Sequence, residues 1–154
     1  MESYNELLQM APSFFGMSMI PEDRWKEYGY ALLTIAGSDG EVSEEEMDWL
    51  IIDAAIAIEV EEEVIDAWRD FDYAHGDLQA IFSDINTSGA VNYNKLLIYD
   101  AIRMSSADHD YSDDEREKVS EAASILKVRQ EELISIEALV EMEMALDKMR
   151  LIIF

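Results

Sequence analysis

The feature that most constrains this chain is an internal repeat. Asp39-Gly40-Glu41-Val42-Ser43-Glu44-Glu45-Glu46 returns 69 residues later, Ser43 to Ser112, as Asp108-His109-Asp110-Tyr111-Ser112-Asp113-Asp114-Glu115. The same offset pairs Ile35 with Met104, Leu50 with Val119 and Ala54 with Ala123. The acids, the apolar run before them and the apolar positions after them travel together, which is the mark of a duplicated structural unit. Two related halves are expected, over about residues 22–72 and 92–150.

The apolar positions around each copy fall at helical spacing. Trp25, Tyr28, Leu32 and Ile35 precede the first motif, and Met47, Leu50, Ile51 and Ala54 follow it. Leu97, Ala101 and Met104 precede the second, with Val119, Ala122 and Leu126 after it. Further helices are expected over 3–15, from Glu61 to Phe71, around Leu78 to Ile85, and from Leu133 through Met144. Only two prolines and six glycines interrupt the chain, so long helices are possible and no strand is expected. The fold class is therefore all-α: a compact bundle of seven or eight helices in two pseudo-symmetric halves. At 154 residues a single domain is expected. Leu151-Ile152-Ile153-Phe154 is too apolar to stand in water and is expected to pack on the domain or on a second copy.

The charge balance narrows the function. Acidic residues number 35 against 11 basic ones, for a formal charge of −24. Such a surface repels phosphate backbones, which argues against nucleic acid and for cations or basic protein surfaces as partners. Between Ser38 and Glu63 neither lysine nor arginine interrupts the acids. Cysteine is absent, so disulfides and thiolate metal sites are excluded. No basic leader precedes an apolar run and no stretch is apolar enough to span a bilayer, so the protein is expected to be cytoplasmic.

Two readings of the repeated motif stand side by side. Ser43 with Glu46, and Ser112 with Glu115, match the Ser-x-x-Glu capping box, in which serine and glutamate satisfy the first amides of a helix reciprocally. That needs no ligand, and the neighbouring acids suit the positive end of the helix dipole. Capping does not use Asp39, Glu41, Asp108 or Asp110. Carboxylates at alternating turn positions present hard oxygens to one small volume, as Ca²⁺ or Mg²⁺ requires. An EF-hand is not expected: the loop from Asp84 to Asn92 fits its start, but Lys95 stands where the bidentate glutamate belongs. It reads better as an Asn/Ser/Gly turn. His75 and His109 are too few for a histidine centre. Nothing marks a nucleophile or a phosphate loop, so no enzymatic activity is expected.

The run Leu32-Leu33-Thr34-Ile35-Ala36-Gly37-Ser38-Asp39-Gly40-Glu41-Val42-Ser43-Glu44-Glu45-Glu46, with its echo from Met104 to Glu115, resembles the TerB-like family of tellurite-resistance proteins. The resemblance covers roughly residues 25–150 and implies one TerB-like helical domain over the whole chain. It also implies a role in bacterial tellurite resistance and stress response, with divalent-metal binding by acidic residues. Carried over, the implied ligands are Asp39, Glu41 and Glu46 with Asp108, Asp110 and Glu115. His109 departs from the family pattern, which favours glycine there. The expectation is a non-catalytic protein binding a divalent cation (Ca²⁺, Mg²⁺ or Mn²⁺) within a stress-response assembly. The alternative is a helical interaction module whose acidic face docks a basic partner without metal.

Overall fold

A computed structural model describes residues 20–38, 40–55, 59–85, 93–107 and 111–154. A 3₁₀ turn at Glu22–Arg24 leads into α1 (Trp25–Ala36). Next come α2 (Glu44–Asp48), α3 (Glu62–Asp70) and α4 (Leu78–Ile85), with a 3₁₀ turn at Tyr73–His75 between the last two. The second half holds α5 (Asn94–Ser105), α6 (Asp113–Ile125) and α7 (Gln130–Ile153). Seven α-helices and no strand occur among the described residues, so the all-α expectation holds. The expected helix over 3–15 and most of the expected turn at 84–92 lie outside them.

The 69-residue offset is visible in the elements themselves. Helices α1 and α5 are each 12 residues long, and both their first and last residues are related by it. Their C-caps, Gly37 and Ser106, have nearly the same backbone angles (φ −91°, ψ 14° and φ −93°, ψ 8°). The helices after the two motifs begin at Glu44 and Asp113, again 69 apart. They then diverge. Helix α6 is regular, whereas α2 passes at Trp49–Ala55 into a π-helical stretch. The expected single amphipathic helix after Ser43 is thus wider in its second half, a rare geometry among helices.

Helix α1 is the hub of the core. It packs on α3, α4, α5 and α6, and α5 packs in turn on α6 and α7. Its apolar residues recur so densely that Tyr28, Ala31, Leu32 and Leu33 are all fully buried. Two tryptophans secure it. The Trp25 indole N–H donates to the Ile20 carbonyl at 2.9 Å, and the Trp68 indole N–H of α3 donates to Lys26 O at 3.1 Å. Gly29 lets that second indole in: a Cβ there would lie 2.1 Å from Trp68 Nε1. Tyr30 and Phe71 stack beside it with ring centroids 4.2 Å apart.

Between α1 and α5 the core is not purely apolar. Asp100, 1% exposed, accepts a 2.7 Å hydrogen bond from the Tyr28 hydroxyl and a 3.4 Å contact from Arg103 Nη1. The Arg103 guanidinium lies over the rings of Trp49 and Tyr99, 5.4 and 5.2 Å from their centroids. Tyr99 donates to the Glu143 carboxylate of α7 at 2.6 Å. A buried charge is tolerated when paired and hydrogen-bonded, as Asp100 is here. This network ties α1, α5, α7 and the π-helical stretch to one another.

Of the two expectations for the C-terminal residues, packing on the domain or on a second copy, the first is not met. Leu151, Ile152, Ile153 and Phe154 are 82%, 84%, 65% and 100% exposed. They do not pack on their own domain, because α7 has already passed beyond the bundle: residues 145–154 are all exposed.

Candidate functional site

The two motifs occupy equivalent local settings. Each follows the C-terminus of one member of the packed pair α1 and α5, and each ends in a helix cap of the same geometry. Ser43 (φ −67°, ψ 160°) accepts from Glu46 N at 3.1 Å, and its own N–H donates to Glu46 Oε1 at 3.1 Å. Ser112 (φ −67°, ψ 164°) accepts from Glu115 N at 3.2 Å, and its N–H donates to Glu115 Oε2 at 2.9 Å. Both predicted capping boxes are therefore formed. Glu46 is buried and Glu115 half-buried, and each gives one carboxylate oxygen to its own helix start.

Gly40 sits in the first loop at φ +98°, where nothing crowds its absent side chain, and its N–H donates to Gly37 O at 2.8 Å. Glycine adopts such a φ without strain. Glu41 is exposed beside it, as are Glu44 and Glu45 at the positive end of α2. Of the six predicted ligands the structure places Glu41, Glu46 and Glu115; Asp39, Asp108 and Asp110, with His109, lie outside the described residues. Among the described residues no group of three or more His, Asp or Glu side chains is gathered as a metal-binding cluster.

Beside the second loop stands a set of residues that the sequence did not single out. The Arg116 guanidinium lies 5.1 Å from the Tyr111 ring centroid, and its Nε is 3.4 Å from Glu137 Oε2 on α7. Tyr111 Oη and Glu137 Oε2 are both shut off from solvent. Burial, and then the negative charge of Glu137, push the Tyr111 hydroxyl well above its ordinary pKa. Arg116 thus bridges Tyr111 and α7, with its guanidinium at the Tyr111 ring and its Nε near Glu137, and Val42 at the matching position offers no such ring. The signal in the sequence was Tyr111 itself, an aromatic set among acids.

Across the bundle, Lys118 of α6 donates to the Ala36 carbonyl at 3.1 Å and so caps the C-terminus of α1 with a positive charge. It borders an open groove of about 460 Å³ that Thr34, Ser38, Asp77, Glu121 and Ile125 also line. The groove reaches the first loop through Ser38.

Comparison with known proteins agrees with this architecture. A family model described as tellurite resistance protein TerB matches residues 30–138. The crystal structure of a tellurite resistance protein from Nostoc punctiforme PCC 73102 shares the fold, with a TM-score of 0.75 and 24% identity. The alignment covers 92% of this chain and 94% of that one. None of the curated proteins matches the chain. Among the described residues, no helix is long and apolar enough to cross a membrane.

Proposed function

Because this chain belongs to the TerB family of tellurite-resistance proteins, we propose that it is a non-catalytic, cytoplasmic bacterial protein that binds a divalent cation through its two acidic loops. The ligands are Asp39, Glu41, Asp108 and Asp110, with Glu46 and Glu115 at the helix starts behind them. One observation carries this reading. The acidic motif is repeated at a fixed offset, and each copy follows one of two helices that pack on each other. Ca²⁺ takes six to eight oxygens and Mg²⁺ about six, several from water, so one loop is too few and two are enough. The resistance role fits a protein that senses or buffers a cation within a stress-response assembly. Without a cysteine in the chain, it has no thiol with which to reduce tellurite.

Calorimetric titration with Ca²⁺, Mg²⁺ and Mn²⁺ tests this directly. Saturable binding of one of these ions, lost in Asp39→Asn combined with Asp108→Asn, is the expected result. No saturable heat from any of the three would refute it.

A second reading has its own support. The capping boxes use Ser43, Glu46, Ser112 and Glu115 fully without any ligand. The remaining acids then form a docking face for a protein partner with a basic surface. Capture of such a partner that weakens steeply with salt, in the presence of chelator, distinguishes it from the metal reading.

A further inference from the structure

Helix α7 runs for 24 residues, about 36 Å, and leaves the bundle before it ends. Leu133 and Val140 are its buried residues. On the outer side Leu139, Met142, Leu146, Met149 and Ile153 are 39–65% exposed. Their spacing is three, four, three, four. That is the a/d heptad seam of a coiled coil, which fits one occupant shape, another helix. With an aliphatic side chain offering somewhat less than the ~150–250 Å² of an aromatic one, the five seam side chains leave on the order of 500 Å² exposed. A patch of about 500 Å² is at the upper end for a lone surface, and two such faces together reach the roughly 1,000 Å² of a specific contact.

The charge pattern names the occupant. On a protein of net charge −24, most surfaces of two copies repel. In the part of α7 from residue 141 on, the acids Glu141 and Glu143 come first. Beyond Met144 it carries Lys148 and Arg150 against Asp147 alone. This helix is therefore complementary to itself when reversed, and repulsive to itself in parallel.

We propose that the outer face of α7 is a self-association surface, pairing two copies of this chain as an antiparallel two-helix seam. In the register that pairs the last four seam positions, Leu146 lies opposite Met149 of the second copy and Met142 opposite Ile153 of the second copy. The contact is isologous and closes at two chains. It covers Met149 and Ile153 at the end of α7, which their own domain leaves bare. It also places four acidic loops on one particle, which goes beyond the cation reading and does not depend on it.

The test uses the full chain in light-scattering chromatography at tens of micromolar. A mass twice the 17.6 kDa of one chain is expected. Leu146→Glu with Met149→Glu should give a monomer with unchanged helical circular dichroism, since both side chains are about half exposed. Cysteine is absent from the native chain, so single cysteines report the register cleanly. Met142→Cys mixed with Ile153→Cys should form the mixed disulfide, and neither alone should form its own. A monomeric parent overturns the proposal, and assigns the face to residues 1–19 if deleting them then yields a dimer. A dimer indifferent to the two glutamates, or one in which each single cysteine links to itself, overturns it equally.

Discussion

Tyr28 donates a 2.7 Å hydrogen bond to Asp100 Oδ2, joining α1 to α5 across 72 residues of sequence. Both side chains are buried, and Arg103 completes the arrangement from one turn further along α5. Removing one member of such a group leaves the others desolvated without compensation. Asp100→Leu is expected to cost ~3–5 kcal/mol, as for a broken buried ion pair. Tyr28→Phe should cost ~1–3 kcal/mol, the penalty of leaving one buried polar group unsatisfied. Asp100→Asn, which keeps an acceptor for Tyr28, should fall between Asp100→Leu and the parent. Urea unfolding measures all three, and equal midpoints for Asn and Leu would show that the hydrogen bond is immaterial.

Gly29 is the point of closest approach between α1 and α3. Its Cβ position is occupied by the Trp68 indole, which is itself held by Lys26 O. Gly29→Ala would ordinarily favour a helix by ~1 kcal/mol. Here overpacking should reverse the sign and destabilise by ~1–3 kcal/mol. At about 2–4 °C per kcal/mol for a domain of this size, thermal melting resolves the difference. A stabilised Gly29→Ala protein would contradict the packing described.

Three tyrosines are expected to resist ionisation. Burial raises Tyr28 and Tyr99 above the ordinary value of 10, with Asp100 and Glu143 respectively adding to it; burial and Glu137 do the same for Tyr111. Their folded pKa lies above the unfolded one, so this contribution to stability is complete below pH 10 and is lost as pH rises beyond it. Spectroscopic titration of the native protein in alkali reads tyrosinate directly. These three should ionise only with alkaline unfolding. Ionisation of all seven before any loss of helix would contradict their burial.

The acid limb has a different origin. Lys95 of α5 pairs with Glu132 at the start of α7, where the carboxylate also accepts from Arg129 N at 3.2 Å. Its pKa is lowered to about 2, first by the hydrogen bond from Lys95 and then by the Arg129 amide. A depressed carboxylate contributes stability that is present above its unfolded pKa and disappears as pH falls towards the folded one. Melting between pH 5 and pH 2 should therefore fall less steeply in Glu132→Gln than in the parent, a window set by the ordinary and lowered values. Parallel curves would remove Glu132 from the account.

Much of this was legible in the sequence. The Ser-x-x-Glu pattern specifies a helix start by local chemistry alone, and both caps form at Ser43 and Ser112. The apolar spacing placed α1 and α5 because a core-facing stripe is a property of one helix by itself. Asp100 was not legible: on a helix an aspartate ordinarily faces water, and its partner Tyr28 lies in the other half. Gly29 was equally silent, since a close approach depends on Trp68, which is distant in sequence. The π-helical stretch at Trp49–Ala55 was not legible, as the apolar period there is equally compatible with an ordinary helix. In α7 the breadth of apolar character was legible, and of the two expectations for its last residues, packing on the domain or on a second copy, the first is not met. The acids of the motif stand out by their repetition, whereas the contacts of Arg116 with Tyr111 and Glu137 require α7 to be in place.

The most direct test of the central claim is melting with and without divalent cation. An ion that binds only the folded state at a hundred times its dissociation constant stabilises by ~2.7 kcal/mol. With about 2–4 °C per kcal/mol, the melting point should rise by roughly 5–10 °C with Ca²⁺, Mg²⁺ or Mn²⁺. NaCl at matched ionic strength should not reproduce the rise. Asp39→Asn with Asp108→Asn should abolish it, and Glu62→Gln with Glu63→Gln, outside the loops, should keep most of it. If the two double variants respond like the parent, or if none of the ions shifts the melting point beyond NaCl, the loops are helix caps and turns and the cation reading is wrong.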